Sequence, residues 1–182
     1  MASTDLTTAP SHPRSRNLTG WQTFALTLTA LWAITLAAAG LGALPSLIAP
    51  RLQLHPHGIP SIHEALVTWM HNVRVAGWPL LFAAAGLYRQ RWQRQLGDLL
   101  LAISLIVNGV LVGAAVAAGH GRILPYLIHL PLEWAAMALS ASGWLLASRD
   151  RLTRRQLAVT GAAFVVLLAL ASFVETYAVP HL

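Results

Sequence analysis

The sequence predicts an all-α fold, a polytopic transmembrane helical bundle of about five helices with a cytoplasmic N-terminus and an external C-terminus. Three observations predict this class. Only 10% of the 182 residues are charged, whereas 56% are hydrophobic and the mean hydropathy is +0.60. Five apolar runs approach the ~20 residues that cross a bilayer. Short arginine clusters separate those runs. Because soluble domains carry about 25% charged residues, this chain has too few to cover a water-facing surface.

The first predicted element is a disordered cytoplasmic tail over residues 1–19, rich in Ser, Thr and Pro. A single transmembrane domain follows over residues 20–182. Its first helix is predicted over residues 21–44 and ends at Pro45. This run is longer than the about 7–15 residues of a signal-peptide core, so we expect it to be retained as a helix.

Helix two is predicted over residues 62–88. It begins at a capping box, Ser61-Ile-His-Glu64, with Ser61 as the N-cap and Glu64 at the third helical position. Helices three, four and five are predicted over residues 96–118, 124–147 and 157–179. Basic loops over residues 89–94 and 149–155 and a tight turn over residues 119–122 connect these helices.

Orientation follows from the arginines, which are all 12 of the basic residues. Nine lie in the tail and in the two basic loops: Arg14, Arg16, Arg89, Arg91, Arg94, Arg149, Arg151, Arg154 and Arg155. Arg51 and Arg122 lie on the opposite side, and Arg74 lies within helix two. The positive-inside rule places the nine in the cytoplasm, at a bacterial cell membrane. Since they form no single patch, we predict no nucleic-acid partner.

Prolines and glycines predict local features of the helices. Pro79 and Pro131 lie inside helices two and four, and each should kink its helix because proline removes a backbone hydrogen bond. Gly109 and Gly113 form a small-xxx-small motif, which predicts close packing of helix three against a neighbouring helix of the same chain.

Polar side chains within the predicted helices are the candidate functional residues, because such groups are costly in lipid. The predicted intramembrane network comprises His71, Asn72, Arg74, Asn108, His129, Glu133 and Glu175. His129 and Glu133 lie one helical turn apart, with Pro131 between them. We expect Arg74 to pair with Glu133, since an unpaired buried charge would be strongly destabilising. The nearby His and Asn side chains would complete the hydrogen bonds.

Three interpretations of this network stay open. It can fix helix packing, as polar residues between membrane helices often do, or line a transport path or a partner-sensing site. A metal site on His129, Glu133 and His71, or a haem site, is the weakest alternative, because the second His of a zinc helix is missing. A loose outer cluster of His55, His57 and His63 is expected to be solvated. We therefore predict no metal and no cofactor.

Enzyme signatures are absent from the sequence, which contains no Gly-rich phosphate loop and no Gly-x-Ser-x-Gly elbow. It also contains no Cys, which excludes disulfides, thiolate metal sites and a catalytic thiol. We therefore predict that the protein is not an enzyme.

Several segments together resemble the stage II sporulation protein M family. They are Asn72-Val-Arg-Val-Ala76, the Asn108-Gly109 pair, Pro125-Tyr-Leu-Ile-His129-Leu-Pro-Leu-Glu133 with Gly143 ten residues on, and Phe173-Val-Glu175-Thr-Tyr-Ala-Val-Pro180. The resemblance covers roughly residues 62–180 in the family's order. The family's Gly after the His is Leu130 here, so its tight glycine packing does not carry over at that point.

The resemblance implies a non-enzymatic membrane protein of several helices that localises or scaffolds partner proteins. The founding member works with proteins that remodel peptidoglycan during engulfment, and some relatives resemble membrane subunits of export systems. The expected partners are therefore the lipid bilayer and other membrane or envelope proteins. A permease-like subunit working with an ATPase subunit is the alternative.

Overall fold

A computed structural model describes residues 19–42, 60–119 and 127–178 of the chain. These residues form six α-helices and no strand, which confirms the all-α prediction for the described part. The helices are α1 Gly20–Leu41, α2 Ile62–Ala76, α3 Trp78–Ala84, α4 Arg91–Gly119, α5 Leu130–Ala147 and α6 Arg154–Ala178. The predictions on most of the N-terminal tail, the Pro45 stop, the outer histidines His55 and His57, the 119–122 turn beyond Gly119, and Pro125 and Pro180 lie outside the described residues.

Both ends of α1 are set by local chemistry. Thr19 is the N-cap, and its hydroxyl accepts the N–H of Gln22 while the Gln22 side chain accepts the N–H of Thr19. Gly42 takes a left-handed conformation at φ 57° and ends the helix. The predicted end at residue 44 was therefore late, because a C-terminal glycine stops the helix before Pro45.

The predicted helix two is divided into α2 and α3 at Gly77. Ser61 is the N-cap of α2 as predicted, and its hydroxyl accepts the N–H of Glu64. The single helix over residues 62–88 was wrong, because Pro79 does not kink a continuous helix but lies in the first turn of α3. A first-turn residue has no intrahelical acceptor for its N–H, so proline costs little there.

Three other helix starts differ from the prediction. Arg91 and Arg94 lie in the first turns of α4 rather than in a loop, and Arg154 begins α6. Pro131 lies in the first turn of α5, which begins at Leu130, so it starts this helix instead of kinking it. The predicted helix over residues 124–147 is not continuous, because residues 127–129 are not α-helical; its predicted start at residue 124 lies outside the described residues.

Helix α5 is the centre of the bundle. It packs against α1, α2, α3 and α6, and ten of its 18 residues are buried. Three apolar clusters join α5 to its neighbours. Trp134 of α5 packs with Leu31 of α1. Ala136 of α5 clusters with Leu80 of α3 and with Phe164 and Leu168 of α6, and Trp144 of α5 clusters with Ala83 of α3 and Leu101 of α4. The Ser140 hydroxyl donates to the Ala76 carbonyl at 2.7 Å, which satisfies a backbone group at the end of α2.

Glycines bring two helix pairs into close contact. A Cβ on Gly109 would lie 2.7 Å from the Ile34 side chain, and a Cβ on Gly113 would meet the α1 backbone at Thr35. The structure thus places the small-xxx-small motif of α4 against α1, within the same chain. Gly143 on α5 lies against Leu80 on α3 in the same way.

Three helices among the described residues are long and apolar enough to cross a membrane: α1, α4 and α6. This is fewer than the five crossings predicted, because α2 and α3 are each short and α5 carries Pro, Glu, Ser and Gly residues within its 18 positions. Large apolar side chains point outward on the candidate spans, and Trp21 and Leu41 of α1 are 74% and 77% exposed. Such a surface is stable against lipid rather than water.

Candidate functional site

Polar side chains from three helices meet in a cavity of about 440 Å³. The cavity is lined by Val67, Thr68, His71, Asn72, His129, Glu133 and Glu175. Four of these residues form what we call the polar cluster: Asn72, His129, Glu133 and Glu175. They are separated by up to 103 residues in sequence, so only the tertiary fold brings them together.

The start of α5 positions two members of the polar cluster. His129 is the N-cap residue, and its carbonyl accepts the N–H groups of Leu132 and Glu133 at 3.0 and 3.3 Å. The Glu133 carboxylate lies in the first turn, where the helix dipole favours negative charge. One turn of helix brings His129 Nε2 to 3.8 Å from Glu133 Oε2. Both side chains are mostly buried.

The other two members come from α2 and α6. Asn72 Nδ2 donates to Glu133 Oε1 at 2.5 Å, which ties α2 to α5. Trp69, one turn earlier on α2, donates its indole N–H to the Val165 carbonyl of α6 at 3.3 Å. Glu175 lies near the end of α6, and one ligand atom from each of His129, Glu133 and Glu175 lies within 4.8 Å of the others. A carboxylate–imidazole–carboxylate group therefore faces one small volume.

The expected Arg74–Glu133 ion pair does not form. Arg74 is exposed and does not line the cavity, and the Glu133 carboxylate contacts Asn72 and His129 instead. The reason is helix geometry, since residues two apart on a helix point about 200° away from each other. Asn72 and Arg74 cannot both face α5.

Asn108 also lies apart from the polar cluster. Its side-chain amide donates to the Ser104 carbonyl of its own helix at 2.7 Å. His71 lines the cavity, although its side chain is exposed. The structure thus brings together Asn72, His129, Glu133 and Glu175 of the predicted network, with His71 at the cavity edge.

A second polar contact was missed by the sequence reasoning. The indole N–H of Trp144, which is completely buried, donates to Asp98 Oδ1 at 2.9 Å, and Arg149 lies 3.5 Å from Asp98 Oδ2. Gly97 lets the Trp144 ring pack directly on the α4 backbone. An Asp in the second turn of an apolar helix is the signal that could have indicated a fixed partner.

A larger cavity of about 850 Å³ lies near the start of α1 and the turn before α6. Its lining is mostly apolar and includes Arg151 and Arg155, but no His or carboxylate. It therefore offers no acid–base or metal-binding chemistry.

The polar cluster is the stronger candidate, because it combines an imidazole, two carboxylates and an amide in a partly enclosed space. Such a group can bind a cation, hold a proton or fix the positions of three helices. No protein-family model, curated protein or solved structure matches the chain.

Proposed function

We propose that this chain is a multi-pass protein of the bacterial cell membrane, with five crossings, the N-terminus inside and the C-terminus outside. Helices α1, α4 and α6 provide three crossings. The 18 residues of α5 would span about 27 Å at 1.5 Å per residue, close to the ~30 Å hydrocarbon core. Helices α2 and α3 together make the remaining crossing, with the break at Gly77 covered by α5 and α6.

Reporter fusions test this topology. A reporter at the C-terminus should be active only outside the cytoplasm, and a reporter after Arg89, between α3 and α4, should be active only inside. A cytoplasmic signal from the C-terminal fusion would overturn the five-crossing arrangement.

We further propose that the protein acts as a non-enzymatic scaffold or partner subunit of a cell-envelope complex, similar to stage II sporulation protein M. One observation carries this proposal. The segments on which the resemblance depends are far apart in sequence, yet three of them contribute Asn72, the His129–Glu133 pair and Glu175 to one cavity. Their meeting in one cavity supports a shared role for these residues.

The short connections between helices support a subunit that works through its membrane domain. Six residues join α3 to α4 and six join α5 to α6, which is too few for a folded catalytic domain. Binding to another membrane protein would then use the bundle itself or the polar cluster.

Copurification in mild detergent, with identification of the recovered proteins, tests the scaffold proposal. Wild-type protein should recover a stable envelope partner, and Asn72→Ala should recover less of it, because the amide that holds Glu133 is lost. Arg74→Ala is the matched control, since this exposed residue lies two positions away on the same helix. Recovery of no envelope protein by the wild type would contradict the proposal.

Transport is the second candidate, and the cavity of about 440 Å³ is the observation that favours it. A polar cavity between membrane helices is the usual form of a substrate or ion path. An ATPase subunit among the copurified proteins, or encoded next to this chain, would favour transport, whereas peptidoglycan hydrolases would favour the scaffold.

A further inference from the structure

We propose that His129, Glu133 and Glu175 bind one divalent metal ion, with zinc as the preferred ion. The proposal concerns a ligand of the polar cluster and holds whether the protein is a scaffold or a transport subunit. It adds a third ligand that the sequence did not indicate, because Glu175 takes the place expected for the exposed His71.

The ligand set fits zinc chemically. Zinc is bound by imidazole nitrogen and carboxylate oxygen, and sites with three protein ligands keep a fourth position for water or a small ligand. His129 and Glu133 at i and i+4 supply two ligands from one helix turn, and Glu175 supplies the third from α6. The cavity leaves room for the fourth ligand.

The distances also fit with small side-chain adjustments. The closest approach of the His129 and Glu133 ligand atoms is 3.8 Å for Nε2 and Oε2. Ligand atoms in a tetrahedral zinc site with bonds of ~2.1 Å lie about 3.4 Å apart. All three ligand atoms lie within 4.8 Å of one another, so each pair would have to approach by at most about 1.4 Å to reach that spacing.

One further observation supports a bound ion. Asn72 on α2 hydrogen-bonds the Glu133 carboxylate, as the outer partners of metal ligands do.

The uncompensated negative charge of the polar cluster is the physical reason to expect a bound cation. Among the described residues, no arginine is paired with Glu133 or Glu175, and the nearest exposed one on α2, Arg74, faces away. Two carboxylates in a partly enclosed site repel each other and are costly without a counter-charge. A divalent cation supplies that charge and gains the imidazole as a neutral ligand.

Zinc binding to the purified full-length chain tests the proposal. The protein would carry an affinity tag without histidine and be treated with a chelator to remove bound metal. It would then be incubated with zinc and separated from free zinc, and the zinc that remains bound would be measured by mass spectrometry. Wild type should retain one zinc per chain, and Glu175→Gln and His129→Gln should lose it. Asn72→Ala should bind about 10–100-fold more weakly, as expected for loss of an outer-sphere hydrogen bond.

His63→Ala is the matched control, because His63 is exposed on α2 and does not line the cavity. It should bind zinc like the wild type. Absence of zinc from the wild type, or full retention by Glu175→Gln and His129→Gln, would overturn the proposal.

The absorption spectrum of the Co²⁺-loaded wild type gives an answer that needs no variant to fold. Intense visible bands of a four- or five-coordinate ion support the site, and the weak spectrum of six-coordinate aqueous cobalt overturns it. A wild type that binds no zinc but recovers its envelope partner would overturn the metal site and leave the proposed function standing.

Discussion

Replacing Gly113 by Ala should destabilise the bundle, whereas the same change at Gly161 should not. Both glycines lie within long helices, α4 and α6. A Cβ on Gly113 would meet the Thr35 carbonyl and lie 2.6 Å from the Ala38 Cβ and 3.0 Å from the Ala39 nitrogen. A Cβ on Gly161 would meet nothing within 4 Å.

The magnitude follows from two opposing effects. Alanine is favoured over glycine in a helix by roughly 0.5–1 kcal/mol, and both variants gain this amount. Gly113→Ala also forces α4 away from the α1 backbone, which cannot yield as a flexible side chain would, at a cost of about 1–3 kcal/mol. The two variants should therefore differ by about 1–3 kcal/mol in the free energy of unfolding, with Gly113→Ala the less stable.

Unfolding in mixed micelles with increasing sodium dodecyl sulfate, followed by tryptophan fluorescence, measures this difference. Gly109→Ala should also be less stable than Gly161→Ala, since its Cβ would lie 2.7 Å from the Ile34 side chain. If Gly113→Ala proved as stable as Gly161→Ala, the close packing of α4 on α1 would be refuted.

Three further predictions use the same unfolding assay. Trp144→Phe should lower the free energy of unfolding by about 1.5–3 kcal/mol, because it removes a hydrogen bond to the Asp98 carboxylate. The double variant with Asp98→Ala should lose less stability than the sum of the two single variants, and additive losses would show that the two side chains do not interact. Ser61→Ala should cost about 1 kcal/mol through loss of the α2 N-cap, and no change would contradict that role. Thr35→Val should lower the free energy of unfolding by about 0.5–1.5 kcal/mol, because the Thr35 hydroxyl donates to the Gly109 carbonyl at 3.1 Å. An unchanged midpoint of the unfolding transition would show that this hydrogen bond does not stabilise the bundle.

Properties that depend on near neighbours in the chain could be predicted from the sequence alone. Hydropathy indicated the all-α class and the apolar helices α1, α4 and α6. The Ser61 cap was visible because an N-cap uses a side chain and a backbone N–H only three residues apart. The spacing of four residues between His129 and Glu133 is about one helical turn, so the sequence alone predicted that the two side chains lie on one side of a helix.

Which of the polar residues meet depends on how the helices pack, and the sequence did not show this. Hydropathy does not fix the rotation of a helix about its axis, and that rotation turned Asn72 toward Glu133 and Arg74 outward. The break at Gly77 and the start of α5 at Leu130 arise because Pro79 and Pro131 each lie in the first turn of a helix, where proline is tolerated. Glu175 joined the cluster because α6 packs along both α2 and α5. This packing brings Glu175 close to Glu133, which lies 42 residues earlier in the sequence, and no local pattern predicts such a contact.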